Sequence, residues 1–215
     1  MDDNKSKNIS TRRPIVNART VAKCFCLFVV AYGILISPWP GLDRVYALFY
    51  REALVFLSGS LAGDSSVRFE RSTDPKYDVN IVFYDKNRLE ADGKPTAVGF
   101  FGQNCRRDAY VFVAFTIALI LATPLSWKRK GLALAWAMIA VHIFIAFKLG
   151  IWTLYGLNRE PFNVFARSRV LAGMVFIIKE ICVRNMNFGL ILCALVWIVV
   201  SLRGAIRREP GAGTR

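Results

Sequence analysis

The sequence has little histidine, and over long stretches it has no charge at all. His142 is the single histidine among 215 residues, and the apolar stretch around it holds no acidic residue. A metal site or a proton relay needs several His, Cys, Asp or Glu side chains close together. The five cysteines show no spacing typical of metal ligands or of a disulfide framework. We therefore expect no metal and no cofactor.

Asp, Glu, Lys and Arg are absent from four stretches of 17 to 19 residues each. About 20 apolar residues cross the roughly 30 Å hydrocarbon core of a bilayer. These stretches exclude an ordinary soluble globule, and they predict an all-α membrane protein with four transmembrane helices. The predicted spans are 22–38, 109–127, 131–156 and 185–203.

Basic residues outnumber acidic ones by 29 to 15, and they are unevenly placed. The segments 1–23, 128–130 and 203–215 together hold 13 basic and 3 acidic residues. Cytoplasmic segments of membrane proteins carry such an excess. We therefore expect both termini, including disordered tails at 1–21 and 204–215, to be cytoplasmic. The lipid bilayer then accounts for the basic charge, and nucleic acid is not expected as a partner.

Two further segments have apolar residues at helical spacing but are interrupted by charges. If 41–63 spanned the membrane, Arg51 and Glu52 would lie near mid-bilayer, which costs about 2.5–3.5 kcal/mol for the arginine alone. We predict instead an amphipathic helix on the outer leaflet. The apolar part of 157–184 is too short to span, which favours a second interfacial helix or an outward extension of the last span. Lys148 is expected to extend to the outer interface.

Apolar and polar residues alternate between the first two predicted spans, over 64–104. The alternation from Tyr77 to Phe83 is typical of a half-buried strand, and Val67 begins a shorter one. Asp92-Gly93 is a turn signal, and 96–101 follows as another strand. We predict a small antiparallel sheet of three or four strands, outside the cytoplasm and resting on the membrane.

The residues with the most chemical potential are Cys105, Arg106 and Arg107, directly before the second predicted span. A thiol beside two guanidinium groups is expected to have a lowered pKa and to be a better nucleophile. Alternatively, the charges simply mark the interfacial end of a helix. His142 lies too deep in the third span to act as the base. Cys105 and Cys182 both fall on the predicted outer side, where they either form a disulfide or stay unlinked.

The order of these features resembles the exosortase/archaeosortase group of bacterial membrane transpeptidases, and more closely a small membrane protein associated with exosortase H. Charged residues and Tyr110 open an apolar helix that ends in the motif 123–130, Thr-Pro-Leu-Ser-Trp-Lys-Arg-Lys, and His142 follows in the next span. The resemblance covers roughly 106–155. It implies that Cys105 matches the exosortase nucleophile. Arg106 and Arg107 replace the small residues expected after it. Lys148 stands where the arginine of the family's site is expected, and no histidine follows His142.

The resemblance implies a bacterial inner-membrane protein that is an accessory or scaffold of a protein-sorting system and not itself an enzyme. Its sheet would contact a sorting transpeptidase or the tail of the sorted protein. The first alternative is a membrane-embedded cysteine transpeptidase that uses Cys105, with Arg106 or Arg107 steadying the oxyanion and His142 as a further candidate. The second alternative is a small transporter, which the uncharged spans disfavour.

Overall fold

The computed structural model describes residues 18–37, 45–50, 52–53, 65–90, 92–93, 95–159 and 162–206. Most of the two predicted tails therefore lies outside the described residues. The same holds for much of the predicted interfacial helix at 41–63, of which 45–50 and 52–53 are described and are helical.

The described part of the chain is mostly helical. The helices are α1 (Ala18–Ile36), α2 (Val111–Ala122), α3 (Trp127–Leu157), α4 (Arg169–Ile178) and α5 (Met186–Ile206). One π-helical turn, Arg106–Tyr110, leads into α2, and another, Lys179–Arg184, follows α4.

The predicted second span and the link after it have different bounds in the structure. The helix ends at Ala122 because Pro124 disfavours helical geometry in the residue before it, and Thr123 is extended. The basic residues Lys128–Lys130, expected to form the link, are instead the first turn of α3. The link is therefore the extended segment 123–126.

Among the described helices, α1 and α3 are long and apolar enough to cross a membrane. A third candidate is the pair formed by α4 with its π turn and α5, which is bent by 74° at Asn185. Helix α1 has no buried residue, whereas eight of the twelve residues of α2 are buried. The short helix α2 thus forms the centre of the bundle, and the apolar surface of α1 is not covered by the part of the protein that the structure describes.

Consecutive long helices of the bundle run in opposite directions. The carbonyl end of α1 is bonded to the start of α2 through Tyr110, whose hydroxyl donates to the Leu35 carbonyl at 2.6 Å. The end of α2 lies beside the later part of α5, where Trp197 Nε1 donates to Thr123 Oγ1 at 2.7 Å. The bundle therefore has two ends. We name them the sheet end, where Ile36 and Cys105 lie, and the basic end, where Lys128–Lys130 lie.

The predicted antiparallel sheet is present and has three strands. They are β1 (Ser65–Arg71), β2 (Val79–Leu89) and β3 (Pro95–Gln103), in the spatial order β1-β2-β3. Tyr77, which the alternation assigned to a strand, precedes β2, and its ring covers Gly102 of β3. Gly93 has a φ of 76° in the β2–β3 connection, which is the conformation that the Asp-Gly signal predicts.

One face of the sheet packs against the end of α3. Phe69, Ile81 and Phe83 are buried on this face. A Cβ on Gly156 of α3 would collide with the rings of Phe83 and Phe101. Because Gly156 has no side chain, α3 can approach the sheet closely. This close packing holds the sheet against the bundle.

Candidate functional site

The candidate site is the junction at which the sheet continues into the bundle. Strand β3 ends at Gln103, and the helical backbone begins at Cys105 after a single intervening residue, Asn104. Three of the four predicted site residues, Cys105, Arg106 and Arg107, therefore lie directly between the sheet and α2.

Carboxylate and amide side chains accept hydrogen bonds from the free N–H groups at the start of this helix. Asp78 Oδ2 accepts from the backbone N–H of Cys105 at 2.8 Å, and Asn104 Oδ1 accepts from that of Arg107 at 2.9 Å. Asp108 Oδ2 in turn accepts from the backbone N–H of Asn104 at 3.3 Å. The first N–H groups of a helix have no partner within the helix, and such acceptors stabilise it.

Asp78 is the residue of this junction that the sequence did not reveal. It stands directly before β2, and its backbone N–H donates to the carbonyl of Gln103 at 2.9 Å. Its side chain and its backbone thus both bind the end of β3 and the start of the helix. Asp78 and Cys105 are 27 positions apart in the sequence, and no local pattern would have paired them.

The Cys105 side chain is closed off from solvent, with 1% of its surface exposed. Burial raises the pKa of the Cys105 thiol, and the nearby Asp78 and Asp108 carboxylates raise it further. The expectation of a lowered pKa is therefore wrong. A protonated, buried thiol is a poor nucleophile.

The two arginines do not act on the thiol because the guanidinium group of each lies elsewhere. Arg106 donates from its guanidinium to the carbonyl of Ile36 at the end of α1. The Arg107 side chain is 73% exposed and lies 4.0 Å from Asp108. Together with Tyr110, Arg106 satisfies two of the last carbonyls of α1, which have no partner within their own helix.

Lys148 takes part in the same junction and does not extend to the membrane surface as predicted. Its side chain is 5% exposed, and Nζ donates to the backbone carbonyl of Asp108 at 3.3 Å. Nζ also lies 4.8 Å above the ring centroid of Phe112. Burial raises the pKa of the Asp108 carboxyl, and the positive charges of Lys148 and Arg107 oppose that shift.

His142 belongs to a different environment. Its Nδ1 is 2.8 Å from the carbonyl of Met138 one turn earlier in α3, and its ring meets Phe49 edge to face at 5.6 Å. Among the described contacts none joins His142 to Cys105, Arg106 or Arg107. The described residues also contain no group of three or more His, Cys, Asp or Glu that could hold a metal ion.

The cysteines and the cavities complete the description of the site. Cys105 and Cys182 are both free, so the disulfide alternative is not realised.

A cavity of about 90 Å³ lies beside the junction and is bordered by Tyr46, Asp78 and Arg106. This is room for about three water molecules and not for a peptide. A larger cavity of about 660 Å³ lies between Leu48 and the β1–β2 connection and extends to Asp78, but Cys105 is not among the residues that line it.

Comparisons with family models, with curated proteins and with solved structures give no match for this chain.

The junction predicts losses of stability of different size for two neighbouring arginines. Arg106→Ala should lower the free energy of unfolding in detergent by about 1.5–3 kcal/mol, the usual range for a hydrogen bond from a charged donor. The matched change Arg107→Ala should cost less than about 0.5 kcal/mol because its side chain is largely exposed. The measurement is an SDS or thermal unfolding titration. Equal losses for the two variants would contradict the assigned role of Arg106.

Proposed function

We propose that this chain is a non-catalytic membrane scaffold that presents its sheet to a partner in a bacterial inner-membrane protein-sorting system. The observation that carries the proposal is the outer edge of β3. It is uncharged and partly exposed, and it is held on a junction whose reactive groups are already engaged in structural contacts.

Strand β3 has the properties of an edge that accepts another strand. It pairs only with β2 among the described strands, and none of its nine residues is charged. Natural edge strands usually carry charges or prolines that prevent pairing with other chains, and the only such residue in β3 is Pro95, at its first position. An extended peptide that adds to such an edge forms main-chain hydrogen bonds along it.

Phe100 adds an apolar contact at the same edge. Its side chain is 67% exposed, although it lies opposite Val82, which is 8% exposed. A large aromatic side chain left exposed beside an unprotected edge favours a partner that covers both. The occupant we propose is the extended tail of a sorted protein, delivered by or shared with a sorting transpeptidase.

The buried thiol supports the scaffold and argues against the transpeptidase alternative. Acyl transfer by Cys105 would need a thiolate that a substrate carbonyl can reach. The Cys105 side chain is 1% exposed, and its pKa is raised. A scaffold requires only that the junction hold the sheet firmly on the bundle.

The direction of the helices supports four spans with both termini in the cytoplasm. Helices α1, α2, α3 and α5 alternate in direction, so the first residues of α1 and the last residues of α5 lie at the basic end. Arg19 and Lys23 in α1 and Lys128–Lys130 in α3 lie at this end. The positive-inside rule then places the basic end in the cytoplasm and the sheet outside.

The topology is tested with reporters that are active on only one side of the membrane. A reporter fused after Arg215 should be active in the cytoplasm, and one inserted at Gly93, which is exposed in the β2–β3 connection, should be active outside. A reporter fused before residue 18 serves as the second cytoplasmic marker. Activity of the Gly93 and Arg215 fusions on the same side would overturn the proposed topology.

The docking edge is tested by the charge change Phe100→Lys. Burial of an unpaired charge and the lost apolar contact at the edge should reduce surface anchoring of a sorted reporter protein several-fold without lowering the amount of scaffold in the membrane. The matched control is Leu89→Lys, because Leu89 is 63% exposed but stands at the end of β2.

A photo-reactive residue at position 100 should cross-link the tail of the sorted protein, and one at position 89 should not. Full anchoring by the Phe100→Lys variant, or the same cross-links from both positions, would contradict docking at β3.

A further inference from the structure

Helix α4 has an apolar side that nothing in the described structure covers. Val170, Met174 and Ile177 are 72%, 52% and 57% exposed, and their spacing of four and three residues places them on one side of the helix. A soluble helix of this length would bury such a side.

The opposite side of α4 and its π turn packs on the outer part of α3. Val175 is buried, and the ring of Phe176 lies 6.5 Å from that of Tyr155. Lys179 Nζ lies 4.1 Å from the ring centroid of Tyr155 and 6.0 Å from that of Trp152, and it also forms an ion pair with Glu180. Because the opposite side packs on α3, the exposed apolar side faces away from the bundle.

The depth of α4 relative to a bilayer follows from the aromatic residues of α3. Trp127 and Trp152 stand near the two ends of this helix, and at 1.5 Å per residue they are about 38 Å apart along the axis. A bilayer with its interfacial regions is about 40–45 Å thick, and tryptophan concentrates at both interfaces. Because Lys179 packs against Trp152 and Tyr155, α4 lies at the level of one interface.

The bend before α5 sets the tilt of α4. The segment Arg169–Arg184 makes an angle of 74° with the segment Met186–Ser201. If α5 crosses the bilayer, α4 lies close to the membrane plane. Arg169 and Gly173 are four residues apart, so they lie on the same side of α4, adjacent to its apolar side. Both residues are exposed.

We propose that α4 is an in-plane membrane helix whose side Val170, Met174 and Ile177 enters the hydrocarbon of the leaflet at the sheet end. The occupant of this surface is lipid. Arg169, the first residue of α4, is exposed and lies where phosphate headgroups complement its charge. Arg184, at the end of the π turn, is exposed too, but it already forms an ion pair with Glu180 at 3.1 Å. This placement needs α5 to cross the membrane and does not depend on docking at β3.

The test uses spin labels on two adjacent residues of α4. Cys24, Cys26 and Cys182, which are not buried, are replaced by alanine, and Met174→Cys or Gly173→Cys is introduced. Gly173 is a suitable control because an added Cβ meets no atom within 4 Å. The same protein without an introduced cysteine is also treated with the spin label, which measures any reaction at Cys105 and Cys193. Proteins are reconstituted in nanodiscs of phosphatidylethanolamine and phosphatidylglycerol.

The labels at positions 174 and 173 are expected to differ in their accessibility to oxygen and to a water-soluble reagent. The label at 174 should be accessible to oxygen, shielded from a water-soluble nickel complex, and roughly 5–10 Å below the headgroups. The label at 173 should be reached by the nickel complex at a rate higher by an order of magnitude or more. Equal access of the nickel complex to both labels would overturn the proposal. Shielding of both, or a depth at mid-bilayer, would indicate a protein partner, a second copy or a re-entrant span, and would overturn it too.

Discussion

The hydrogen bond from the Cys105 backbone to the Asp78 carboxylate is the contact on which the rest of the structure depends. It links the residue before β2 to the first residue of the central helical segment, at a donor–acceptor distance of 2.8 Å. A helix start needs acceptors for its free N–H groups, and beside a membrane water supplies them less readily. Asp78 and Asn104 meet that requirement, and in doing so they fix the sheet to the bundle.

The same constraint explains why the most reactive residues of the sequence are structural here. Arg106 and Tyr110 donate hydrogen bonds to the last carbonyls of α1, and Lys148 donates one to the Asp108 carbonyl. Each of these contacts satisfies a backbone group whose burial without a partner is costly. The thiol of Cys105 is enclosed by this arrangement, so its neighbours stabilise the junction and do not activate it.

Local patterns predicted the parts of the fold that depend on neighbours in sequence. The alternation around Ile81 indicated the sheet, the turn at Gly93 has the predicted backbone, and uncharged stretches marked apolar helices. Pairings between distant residues were not visible. The contact of Asp78 with Cys105, the burial of Lys148 under Asp108 and the bend at Asn185 all depend on how separate elements pack. The shift in the pKa of Cys105 was predicted with the wrong sign because the thiol is buried and lies near the Asp78 and Asp108 carboxylates, which depends on how the sheet packs on the helix.

We propose that the junction is structural and that Cys105 has no catalytic part, and the most direct test of this proposal is the function of Cys105→Ser in cells. Anchoring of a sorted reporter is compared with the amount of the variant in the membrane. A scaffold predicts that anchoring per molecule stays within about twofold of the unaltered protein, since a buried Cys→Ser change acts through stability alone. Loss of anchoring by several orders of magnitude at normal abundance is the result expected for a removed nucleophile, and it would contradict the account.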